Sequence, residues 1–143
     1  MATQSALERI TERVYRLGDP NEIETPRPLL SLTEFFEEND VAGSIGCNLP
    51  GAPMPSVLYE VFKAFAKRPD VADIRVAITY FDDPDWPFSD TVYIITTAST
   101  KEVAAWFDKD LAPDDTLEGF CSDQQYEPYT VKDGYRVITC WWD

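Results

Sequence analysis

The chain has 143 residues, 44% of them hydrophobic and 13% aromatic, and a formal net charge of −14 from 12 basic and 26 acidic side chains. That composition supports one folded domain with a real core and excludes global disorder, while a field of this sign argues against direct binding to nucleic acid. There is no histidine, which excludes Ser-His-Asp and Cys-His catalysis and imidazole-ligated zinc within the chain.

The three cysteines, Cys47, Cys121 and Cys140, are odd in number and widely spaced, as expected for reduced thiols in a cytoplasmic protein. No apolar run approaches the ~20 residues of a membrane span. The N-terminal stretch lacks the apolar segment of a secretory signal. Neither a cofactor nor a tightly bound transition metal is expected, since soft and imidazole ligands are too few. The acid excess grows along the chain, and residues 73–143 carry −10 of the −14.

In chain order, Leu7, Ile10, Val14 and Leu17 recur at helical spacing and predict a helix over 6–17, stopped by Gly18-Asp19-Pro20. Residues 22–28 hold two prolines and read as an extended connector. Ser31-Leu32-Thr33-Glu34 is a capping-box pattern, so a short helix over 32–38 is expected, with Phe35 and Phe36 inward. In Gly43–Gly51, Ile45, Cys47 and Leu49 alternate, which predicts a short buried strand with Cys47 as a small buried residue. The glycines there fit neither the dinucleotide nor the phosphate-loop spacing. Val57, Leu58, Val61, Phe62 and Phe65 then form the apolar stripe of a helix over 55–67.

Residues 73–97 form the centre of the pattern. Ile74, Val76, Ile78 and Tyr80 share one face of a predicted strand, and Val92, Ile94 and Thr96 one face of a second. Between them lies an acidic, aromatic loop, Asp82-Asp83-Pro84-Asp85-Trp86-Pro87-Phe88-Ser89-Asp90, whose prolines exclude a ladder. Ser99-Thr100-Lys101-Glu102 is a second capping box and opens a helix to about 108 that should bury Val103, Trp106 and Phe107. Residues 108–127 read as a long acidic surface loop with a helical turn near 116–120. Asp133-Gly134 predicts a final hairpin between 129–131 and 135–142. Its second strand carries large apolar groups on both faces, as in a strand buried on both sides or one whose edge meets a partner.

Strand, helix, strand, strand, helix, strand from residue 43 onward is the order of an α+β fold. It predicts an antiparallel sheet with helices packed on one face, in a ferredoxin-like, split βαβ arrangement. Residues 1–28 would add an N-terminal helix and connector to the 29–143 core, and the final hairpin would be a C-terminal addition. Three stretches, GSIGCNLP, DDPDWPFSDTVYIITTAS and the terminal CWWD, resemble those of an uncharacterised group of small bacterial proteins. The resemblance covers most of 29–143 and implies a bacterial, cytoplasmic protein. The group has no assigned activity, so the resemblance carries over no catalytic residues.

Two function classes follow. The first is a non-enzymatic acidic interaction protein that covers a basic protein surface, as immunity or inhibitor proteins do. Its expected surface is Asp82, Asp83, Asp85, Trp86, Phe88 and Asp90, joined by 108–118. The second is a small ligand-binding domain or carboxylate-based enzyme using the 82–90 loop and Gly43–Gly51, in which a carboxylate pair would serve as acid and base. A pocket lined by both segments would favour the second class, and a flat acidic surface the first. The aromatic rings of the loop are read as folding back onto the core more readily than binding a ligand, and a hard-cation site there lacks the calcium-loop spacing. Oligomeric state is left open.

Overall fold

The computed structural model of the chain describes residues 5–22, 24–51, 53–81, 85–121 and 125–142. Its elements run α1 (Ala6–Arg16), β1 (Leu29–Ser31), α2 (Leu32–Phe36), α3 (Pro55–Ala66), β2 (Val71–Ala77), β3 (Thr91–Thr96), α4 (Thr100–Trp106), β4 (Asp115–Glu118) and β5 (Arg136–Trp141). The strands form an antiparallel five-stranded sheet in the order β1-β2-β3-β5-β4. The fold is therefore α+β. No helix among the described residues is long and apolar enough to cross a membrane.

Strand alternation sends two sets of side chains to opposite faces. Leu30, Ile74, Val76, Val92, Ile94, Ile138 and Cys140 line one face, where all four helices pack. Phe62 of α3 is the hub of this layer: its ring meets those of Phe36, Phe65, Phe107 and Trp142 at centroid distances of 6.0–6.2 Å. Leu29, Ala77, Tyr93, Ile95 and Val137 line the other face, covered by Phe120, Tyr126, Tyr129, Val131 and Tyr135. Helix starts follow the sequence closely. Ser31 Oγ accepts from the Glu34 amide (3.1 Å) while Glu34 accepts from the Ser31 amide (2.9 Å), and Ser99 and Glu102 repeat the exchange.

The structure departs from the sequence expectations at several points. Gly43–Gly51 forms turns rather than a strand, so the strand with which a split βαβ would begin is not built there. Ile45 and Leu49 are buried, but Gly46 takes φ +63° and turns Cys47 out to solvent. Leu29–Ser31, between the predicted connector and the predicted helix, is an edge strand paired with β2. Residues 115–118 form β4 instead of a helical turn, because β5, whose first edge pairs with β3, has a second edge to satisfy. There the Asp114 amide donates to the Trp141 carbonyl and the Gly119 amide to the Val137 carbonyl, both at 2.8 Å. With both β5 edges taken, 129–131 is no strand: Tyr129 and Val131 lie across the second face. Finally, Val57 of the α3 stripe is exposed, and Trp106 is only half-buried, so α4 is seated by Val103 and by Phe107 just beyond its end.

Candidate functional site

Asp90 closes the acidic loop onto the sheet. Its Oδ1 accepts from the hydroxyls of Thr79 (2.7 Å) and Thr91 (2.8 Å), and its amide donates back to Thr79 Oγ1 (3.1 Å). Hydrogen bonds to an ionised acceptor are short and strong, so this carboxylate is held in place. Just before it, Phe88 exchanges backbone bonds with Tyr80, and the buried Ser89 amide donates to the Ser44 carbonyl at 2.8 Å. The loop is thereby tied to the glycine-rich turn.

The C-terminal strand gathers the remaining segments. The Trp142 amide donates to the Asp90 carbonyl at 2.9 Å, and Trp142 Nε1 donates to the Leu111 carbonyl at 3.2 Å. The Asn48 amide group donates to Asp114 Oδ2 at 2.8 Å. In register, Ala77, Thr91, Trp141 and Asp115 form one row across the end of the sheet. Strands lie about 4.8 Å apart, which puts Thr91 and Asp115 about 10 Å from each other, within a Debye length at ~0.1 M salt. The glycine-rich turn, residues 85–90, residues 108–115 and the Trp141–Trp142 pair thus meet at one end of the sheet. Asp85, Asp108, Asp110, Asp114 and Asp115 are exposed there or in the segments leading to it.

The expected surface residues divide. Asp82 and Asp83 lie outside the described residues. Asp85 is exposed, while Asp90 is half-buried and committed to its two threonines. Trp86 is 4% exposed and packs edge-to-face on Phe35 at 6.5 Å, so this ring belongs to the core and not to a contact surface. Phe88 is half-buried under Tyr80, whose ring stacks on it at 5.8 Å and is itself 60% exposed. Among the described residues no three acidic or cysteine side chains are grouped to hold a metal.

A cavity of about 240 Å³ opens beside the loop, lined by Thr79, Tyr80, Asp90, Tyr126 and Trp141 among others. Asp90 is its acidic-loop contribution, and none of its lining comes from Gly43–Gly51. The sequence did not single out Tyr80, Tyr126 or Trp141 for this place. Trp141 could have been found from strand parity, since it shares its face with Thr139 and Val137. Tyr126 could not, because it reaches the sheet from a loop, held by the hydroxyl of Tyr93 at 2.7 Å. Burial and that bond raise the Tyr93 phenol well above the ordinary tyrosine range.

No solved structure matches the chain. The "Uncharacterized protein YfbO" of Escherichia coli (strain K12) is 47% identical over 137 residues, 96% of this chain and 98% of the relative. Residues 5–140 match the Uncharacterized protein YfbO family. The match takes in the turn, the loop, the acidic segment and nearly all of the closing strand, and the chain belongs to the YfbO family.

Proposed function

We propose that the protein is a non-enzymatic, cytoplasmic interaction protein whose acidic sheet end docks on the basic surface of a protein partner, in the manner of an immunity or inhibitor protein. The observation that supports this reading is the placement of residues 85–90 and 108–115 at one end of the sheet, where Thr91 and Asp115 stand about 10 Å apart. The exposed Tyr80 ring beside them supplies an apolar contact, of the kind that anchors interfaces. The free thiols accord with a reducing compartment.

Charge complementarity acts chiefly on encounter. A partner purified from the source cell should therefore associate faster at low salt. Changing Asp82, Asp83 and Asp85 to Asn, or Asp110 and Asp115 to Asn, should lower the on-rate and flatten its salt dependence, with a smaller effect on dissociation. An on-rate and salt slope unchanged by both sets of substitutions would remove the acidic end from the interface.

A further inference from the structure

The cavity beside Asp90 has a chemistry distinct from the diffuse field around it. Among the described residues its lining joins the Asp90 carboxylate to the aromatic side chains of Tyr80, Tyr126 and Trp141 and includes no lysine or arginine. Both threonine hydroxyls bind Asp90 Oδ1, and Oδ2 takes no hydrogen bond among the described residues. A carboxylate oxygen fixed in place and left open can accept from a charged donor. The walls are braced: Tyr126 by Tyr93, Tyr80 by Phe88, and Trp141 by its place in β5. The nearby Arg27 guanidinium does not fill the space, because it donates to the carbonyls of Ile78 (3.1 Å) and Thr79 and faces a neighbouring hollow. At about 240 Å³ the cavity is smaller than the ~300–1,000 Å³ of sites for drug-sized ligands. It suits one compact group and not a nucleotide. A carboxylate among aromatic faces is the chemistry that recognises an organic cation.

We propose that this cavity is a socket for one guanidinium or ammonium group, carried by an arginine or lysine side chain of the basic partner. The proposal rests on the docking reading above and gives the acidic end a specific anchor. The guanidinium or ammonium donates to Asp90 Oδ2 while the ring faces screen it from water.

Blocked single residues test the socket without the partner. N-acetyl-arginine amide and its neutral isostere N-acetyl-citrulline amide are titrated at low salt into isotopically labelled full-length protein, and amide shifts are followed. The arginine compound should give saturable shifts at Thr79, Tyr80, Asp90, Thr91 and Trp141, with an affinity on the order of millimolar. The citrulline compound should bind at least about tenfold more weakly, and Asp90→Asn should weaken arginine binding by a similar factor. Asn keeps an oxygen for the two threonines, so the fold is preserved. Tyr80→Leu, at an exposed site, should weaken binding as a second variant. Equal binding of the two compounds, shifts scattered over the acidic surface, or binding undiminished in both variants would overturn the socket. If arginine amide is not bound but partner association still slows with the Asn substitutions above, the socket alone is lost. If arginine amide binds saturably but a partner's association ignores salt and charge, the docking reading is lost and the cation site remains.

Discussion

Phe62 shows how much of the stability rests on single rings. It is fully buried at the meeting of α2, α3, α4 and the C-terminal strand, and four other aromatic rings contact it edge-on or tilted. Such pairs add to area burial. Removing the ring should leave a cavity that rigid neighbours cannot close, so Phe62→Ala should cost about 3–5 kcal/mol in denaturant titration. Trp106 is the contrasting case. It is half-buried, its ring meets Phe65 at 5.5 Å, and the Arg68 guanidinium covers it at 3.9 Å. A ring held at the edge by a solvated cation is worth less, so Trp106→Ala should cost clearly less than Phe62→Ala. Equal losses would place Trp106 in the core after all.

At the scale of elements, the capping boxes and the α3 stripe were legible because each signal is local: a side chain and an amide three residues apart, or apolar groups on one helical face. β2 and β3 were legible from alternation. β1 and β4 were not, because Leu-Leu-Ser and Asp-Thr-Leu-Glu carry no strand pattern of their own and are strands only because a neighbouring edge is open. The Gly43–Gly51 turn misled in the opposite way. Ile45 and Leu49 are both buried through successive turns, and the alternation with Cys47 is accidental. For the site, the acidic loop was readable from composition. Its union with 108–118 depends on register across β3, β5 and β4, which no local signal reports. The turn itself can be tested. Gly46 (φ +63°) and Gly51 (φ +78°) both take left-handed backbone. A Cβ at Gly46 would lie 2.8 Å from Leu49 Cδ1 and 3.0 Å from Leu58 Cδ1, whereas one at Gly51 meets nothing within 4 Å. Both Gly→Ala changes should cost about 1–2 kcal/mol for backbone strain. Gly46→Ala should cost more, by whatever the two leucines must yield. If the two variants melt alike, the turn is not packed on α3 as described.

The whole molecule is asymmetric across its sheet. The helix face is sealed by aliphatic and aromatic side chains, and the other face by Phe120, Val131 and tyrosines, of which Tyr126 and Tyr129 are tied by their hydroxyls. Tyr93 donates to Tyr126, and Tyr129 donates to Asp73 Oδ2 at 2.5 Å. Burial, then the bond to Asp73, pushes the Tyr129 phenol up from 10.0 to about 12. Burial alone pushes the Cys140 thiol up from 9.0 to about 12. All these groups are neutral when protonated, and the folded state holds their protons more tightly than the unfolded chain does. Between about pH 9 and 12 the unfolded state therefore binds fewer protons, and stability must fall as pH rises. Below about pH 9 the contribution is fully present. Each ionisation also adds negative charge to a chain already at −14, which works in the same direction. The urea midpoint should be level from pH 7 to 8.5 and then decline steadily toward pH 11.5. Tyr129→Phe should start from a lower midpoint, having lost the Asp73 bond, and decline less steeply. Because Tyr126, Tyr129, Val131 and Tyr135 cover that face, amide exchange in residues 125–135 should accelerate before exchange in α3. A midpoint constant to pH 11.5, or α3 opening first, would show that the second face is not held by its protonated hydroxyls.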